Sequence, residues 1–163
     1  MSHSICAIVL RGPFDAAAAA TFDLAGIPLG DDLTLFPITH YYTACWQKTL
    51  GVQGDLEGVF PPSLIFPREH VISVLMERIT GREPLFSVIA TDYFGGVGEQ
   101  WAQVYRGHAP ADPSVTAINP ALRLLGVKAK RGLDEFDTAG LDRIRHAPDS
   151  LDRYVDLAEE LGG

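Results

Sequence analysis

Thr91-Asp92-Tyr93-Phe94-Gly95-Gly96-Val97-Gly98-Glu99-Gln100-Trp101-Ala102-Gln103-Val104 is the stretch on which the fold turns. Its three glycines interrupt an aromatic, strand-like run, and glycine accepts the backbone conformations of a tight reversal that other residues avoid. Upstream, Leu85 to Ala90 is apolar at nearly every position, as a central strand covered on both faces requires. Downstream, Gln100 to Arg106 resumes a strand pattern, so the whole segment reads as an antiparallel hairpin.

Working outward, Ser4 to Arg11 is rich in Ile, Val and Leu and reads as a buried strand stopped by Gly12-Pro13. A helix follows, capped by Asp15, favoured by its alanines and closed by Gly26 and Pro28. Leu33 to Ile38 is a second strand after the Gly30-Asp31-Asp32 turn signal, and Pro37 confines it to an edge or a strand end. From Thr39 the period changes. Tyr42, Cys45, Trp46 and Leu50 recur at helical spacing, with Thr39 as N-cap and Gly51 as the stop. Residues 51–67 are mostly connection, with Leu64-Ile65-Phe66 as a short strand. Glu69 to Thr80 carries Val71, Ile72, Leu75, Met76 and Ile79 on one face and ends at Gly81, which predicts a helix.

Asn119-Pro120 starts a short helix, with Asn119 as N-cap, that Gly126 closes. Beyond it a basic group, Lys128, Lys130 and Arg131, precedes an acidic one, Asp134, Glu135 and Asp137, and the two should attract each other. Ser150 to Leu161 makes a final amphipathic helix. With no internal repeat or linker, the pattern predicts a single α+β domain over residues 1–163, with helices packed on a mixed, mainly antiparallel sheet.

The chain's 163 residues suffice for one core, and a net charge of −8 is spread as −4 over residues 1–67, −1 over 68–127 and −3 over 128–163. A diffuse negative field argues against nucleic acid and bare membrane surface as partners and accepts a basic protein, although solubility alone explains the same charge. The opening residues lack a basic region and their apolar run, Ile5 to Leu10, is short, so no export signal is expected. No run approaches the ~20 apolar residues of a membrane span. Cys6 and Cys45 alone make no disulfide framework, which points to a reducing cytoplasm.

Chemistry concentrates at the hairpin. If Gly95 to Gly98 closes a four-residue loop, or Gly96-Val97 a two-residue turn, Phe94 faces Glu99, Tyr93 faces Gln100 and Asp92 faces Trp101. Asp92, Phe94, Glu99 and Trp101 then share one face, with Asp92 and Glu99 diagonal neighbours roughly 7–8 Å apart. Two acids on a partly apolar patch suit general acid–base work or a hard cation. The alternative is that Asp92 caps nearby backbone donors while Glu99 is solvated. Gly96-Val97-Gly98 supplies two glycines of a dinucleotide fingerprint, but the third is missing and a strand follows, so no nucleotide cofactor is expected.

His40, entering the Thr39 helix after a strand, is the histidine placed to line a cleft, or else a hydrogen-bonded structural group at the helix start. Cys45 lies five residues further on, about 140° around the helix, so the two cannot pair there, and Cys45 reads as a small buried hydrophobe. The five histidines have no ligand-like spacing, so no metal is expected. Tyr41, Tyr42, Trp46, Tyr93, Phe94 and Trp101 exceed what one small patch of core needs. If the Thr39 helix lies over the hairpin, they can line a pocket or form an anchor patch for a partner.

The segment from Thr91 to Gln100 resembles a recurring segment of small uncharacterised bacterial proteins. In these a similar Tyr-Phe-Gly-Gly turn is followed by elements like Leu125-Gly126-Val127 and Asp134-Glu135-Phe136-Asp137. The resemblance implies a bacterial, domain-sized protein and brings no activity or catalytic residues. The leading expectation is therefore a cytoplasmic, non-catalytic binding protein that uses its aromatic and acidic surface for a protein partner or for self-association. A small-molecule enzyme using Asp92, Glu99 and His40 for hydrolysis or proton transfer is the alternative.

Overall fold

The computed structural model describes residues 2–30, 32–58, 67–94, 97–144, 148 and 151–160. Strand β1 (Ser2–Arg11) leads to helix α1 (Ala16–Thr21), then β2 (Ile27–Pro28), β3 (Leu33–Ile38), α2 (His40–Thr49) and α3 (Val71–Thr80). The hairpin β4 (Leu85–Phe94) and β5 (Val97–Arg106) follows, then β6 (Ala109–Pro110), α4 (Ile118–Leu124), α5 (Glu135–Ala139), a 3-10 turn at Leu141–Arg143 and α6 (Arg153–Glu160). The strands form one sheet in the order β2-β3-β1-β4-β5-β6, and each pairing among the described residues is antiparallel. This is an α+β fold.

Alternation along the strands divides the core in two, because successive side chains of a strand point to opposite faces. Ile8, Leu10, Phe36, Phe86, Val88 and Tyr105 face α1, α2, α3 and α6. Ile5, Ala7, Val9, Leu35, Ile89 and Val104 face α4, α5 and the 3-10 turn. Burial on both sides is why β4 reads as an unbroken apolar run. Among the described residues no helix is long and apolar enough to cross a membrane.

Local signals placed most elements. Thr39 caps α2 by accepting from Tyr42 N–H at 3.1 Å, and Gly51 follows in the left-handed region at φ 68°. Asp15 caps α1 by accepting from Ala17 and Ala18 N–H. That helix ends at Phe22, earlier than Gly26, because Asp23 takes the left-handed conformation (φ 56°) that short polar side chains tolerate. Asn119 is not the cap of α4, which begins one residue earlier with Ala117 in that role. Gln100 Oε1 receives Ile118 N–H at 2.8 Å, while Asn119 Oδ1 receives Phe136 N–H at 2.9 Å and its amide donates to Asp134. The basic group at 128–131 does not pair with the acids after it. Glu135 instead meets Arg123 at 3.0 Å. The short strand expected at 64–66 lies outside the described residues.

Candidate functional site

The hairpin is tighter than its glycines suggest. Only residues 95 and 96 separate the strands, so Phe94 pairs with Val97, Tyr93 with Gly98, Asp92 with Glu99 and Ala90 with Trp101. Asp92 therefore faces Glu99, not Trp101, and Phe94 faces Val97, not Glu99. The register differs by two residues, which preserves the faces because the side-chain period is two. Gly98 permits this closeness: a Cβ there would lie 1.9 Å from the Asp92 carbonyl oxygen and 2.7 Å from Tyr93 Cα. Glycines 96 and 98 lead into a strand, with no helix N-terminus behind them to hold a phosphate.

Ser4 of β1 pairs with Asp92 from the other side, so Ser4, Asp92 and Glu99 form one exposed row across three strands. The next row inward on the same face is Cys6, Ala90 and Trp101, continued by Ile38 of β3. Burial, followed by the nearby Asp92 carboxylate, pushes the Cys6 thiol up to about 12. Among the described residues neither Asp92 nor Glu99 has a salt-bridge partner.

His40 meets a different acid. Its Nδ1 lies 3.0 Å from Glu69 Oε1, while Glu69 Oε2 accepts from Thr43 Oγ1 at 2.7 Å and from Arg68 N–H at 3.0 Å. The Glu69 side chain is 12% exposed and the His40 ring 58%, so a nearly buried carboxylate orients a largely exposed imidazole. Glu69 was hidden in the sequence because it looked like an ordinary first-turn acid before an apolar helix stripe.

The aromatic residues divide sharply. Tyr42 is fully buried, donates its hydroxyl to Phe22 carbonyl oxygen at 2.6 Å and packs edge-on against Tyr154. Trp101 is 2% exposed. Trp46 is partly buried, edge-on to Phe22, with Nε1 3.3 Å from the Tyr154 hydroxyl it donates to. Tyr93, half-buried on the other face of β4, accepts from Gln100 Nε2 at 3.3 Å, and Tyr41 is 46% exposed. The Phe94 side chain lies outside the described residues. Core packing takes up Tyr42 and Trp101, and Cys45 is a buried member of the same core.

Two open clefts lie elsewhere. One, of about 660 Å³, is lined by Ala20, Ala25 and Leu151 together with Asp23, Arg153 and Tyr154. Asp23 Oδ2 accepts there from both the Arg153 guanidinium and the Tyr154 hydroxyl, and burial foremost raises the Tyr154 pKa, keeping the phenol protonated. This network ties α6 to the end of α1. The other cleft, of about 540 Å³, is lined by Glu77, Arg78, Arg82, Glu83 and His108 beside two glycines. Asp92 and Glu99 line neither. Among the described residues no group of three or more His, Cys, Asp or Glu side chains is arranged to hold a metal ion.

No protein-family model matches the chain, and neither a curated protein nor a solved structure matches it.

Proposed function

We propose that this chain is a non-catalytic binding protein whose partner presents a basic segment to the Ser4–Asp92–Glu99 row. The observation that carries this reading is the direct cross-strand placement of two exposed, unpaired carboxylates. Like charges set opposite each other destabilise a sheet by about 0.2–1 kcal/mol, a penalty that a bridging Lys or Arg would relieve. The overall charge of −8 would add long-range attraction for such a partner. Symmetric self-association through the same patch is disfavoured, since it would bring the carboxylates of two copies together. A reducing cytoplasm suits this reading, because Cys6 and Cys45 are both free thiols.

The test is a titration of the labelled protein with a Lys/Arg-rich peptide, followed by amide chemical shifts at low and high salt. Shifts confined to residues near 90–101, weakened by salt and lost in Asp92→Asn/Glu99→Gln, are expected. Binding indifferent to those two substitutions would overturn the proposal.

Acid–base catalysis is a second reading, favoured by one observation: Glu69 fixes His40 Nδ1 and leaves Nε2 outward. A panel of chromogenic ester and phosphate substrates tests it. Turnover that disappears in both His40→Ala and Glu69→Gln, with folding intact, is the expected result, and turnover unaffected by either would remove the idea.

A further inference from the structure

His70, at the start of α3, and His108, in the turn between β5 and β6, lie 38 residues apart in sequence and meet in space. His70 Nε2 is 2.8 Å from His108 Nδ1, and His108 Nε2 is 3.1 Å from Glu77 Oε2. A carboxylate only accepts, so the Nε2 of His108 carries a proton, leaving Nδ1 of the neutral ring to accept from His70 Nε2–H. Glu77 follows His70 by seven residues, which is within about 20° of the same line on a helix, so both approach His108 from one side.

We propose that His70 and His108 form a two-imidazole site for a borderline divalent transition-metal ion of the zinc or cobalt type, with Glu77 orienting His108 from outside. Imidazole nitrogen selects such ions over magnesium or calcium. Carboxylate–imidazole–metal chains are the usual way a protein fixes a ligand's tautomer and raises its basicity. Two nitrogens each about 2.0–2.1 Å from a tetrahedral ion stand about 3.3 Å apart, so the rings must part by roughly half an ångström. Both rings are at the surface and free to make that movement. The proton between them moves to His70 Nδ1, so both rings stay neutral.

The backbones behind the rings are pinned. His70 N–H donates to Gly54 carbonyl oxygen at 3.0 Å and Gly107 N–H to Pro84 carbonyl oxygen at 2.8 Å. Gly107 is in the left-handed region at φ 65°, which turns His108 toward α3. Arg78 and Arg82 line the adjoining cleft and oppose a bare cation, so the remaining coordination positions suit water or a small anion.

Titration with ZnCl2 at neutral pH by calorimetry, and with Co(II) by visible absorption, tests the site. One ion per chain is expected. Glu77→Gln should weaken binding about 10–100-fold, as loss of such an outer partner does, and His70→Gln or His108→Gln by more. Affinity should fall as the imidazoles protonate at lower pH. His40→Gln should change nothing. Absence of stoichiometric binding at millimolar metal, or binding that survives both His70→Gln and His108→Gln in folded protein, would overturn the proposal.

Discussion

Replacing Ser73 with alanine is expected to stabilise this protein, against the usual sign of a core substitution. Ser73 sits on α3 fully buried among Val71, Ile72, Leu75, Met76 and Ile79, and among the described residues its Oγ is without a hydrogen-bond partner. A buried, unsatisfied hydroxyl costs about 1–3 kcal/mol, and serine in a helix interior is about 0.5 kcal/mol less favourable than alanine. Against this, one missing oxygen leaves a void of roughly 10–15 Å³, which costs about 0.3 kcal/mol. The net gain is about 1 kcal/mol at the low end, or about 2–4 °C in Tm for a chain of this size. Ser87 is the matched control. It is equally buried, but its Oγ donates to Gln103 carbonyl oxygen at 2.9 Å, so Ser87→Ala should lose about 1 kcal/mol. Urea unfolding with an unchanged m-value measures both. If Ser73→Ala destabilises by as much as Ser87→Ala, the hydroxyl is satisfied in solution and the reasoning fails.

Two further outcomes follow from the hairpin. Gly98→Ala would set a methyl against backbone atoms that cannot yield, so the strand ends must part; with a few ladder bonds at about 0.5–1.5 kcal/mol each, a loss of about 2 kcal/mol is expected. Hydrogen exchange of the amides on both sides of the turn should quicken, and unchanged protection there would contradict the register. Cys6, with its thiol pushed up from 9.0 to about 12, should alkylate at pH 8 at least a hundredfold more slowly in the native than in the unfolded chain, as read by peptide mapping. The folded state holds that proton after the unfolded chain has released it. The contribution of Cys6 is therefore complete below pH 9 and is lost as pH rises toward 12, so stability should decline across that alkaline window. Alkylation of native Cys6 as fast as in the unfolded chain would refute the burial argument.

What could be seen in the sequence was local. The apolar run of β4, the stripe of α3 and the Thr39 cap each depend on residues a few positions apart, where periodicity and capping chemistry operate. Contacts assembled across the chain left no such trace. Glu69 reaches His40 from 29 residues away, and His108 reaches His70 from 38, so ligand spacing in the sequence said nothing about either pair. The hairpin register fell between these cases. Three glycines marked the reversal, yet Gly98 serves a close strand approach and leaves the turn to residues 95 and 96. Asn119 looked like a cap because its side chain suits one, but a tertiary hydrogen bond to the start of α5 claimed it.

The placement of the carboxylates follows from where the helices stop. On the face under α1, α2, α3 and α6, β1 reads Leu10, Ile8, Cys6, Ser4; β4 reads Phe86, Val88, Ala90, Asp92; and β5 reads Tyr105, Gln103, Trp101, Glu99. All three strands change to an exposed polar residue at the same row, so helical cover ends between Cys6–Ala90–Trp101 and Ser4–Asp92–Glu99. On the opposite face cover extends a row further. His3 is 8% exposed, bonded to Thr91 Oγ1 at 2.7 Å and to Leu141 carbonyl oxygen at 2.9 Å, with its ring edge against Phe136. One end of the sheet is thus shielded on one side and bare on the other. Solubility needs only some charge on a bare row, and alternating signs would supply it without repulsion. Two acids directly opposed make that row carry a single sign, and a single sign is what a basic partner would recognise.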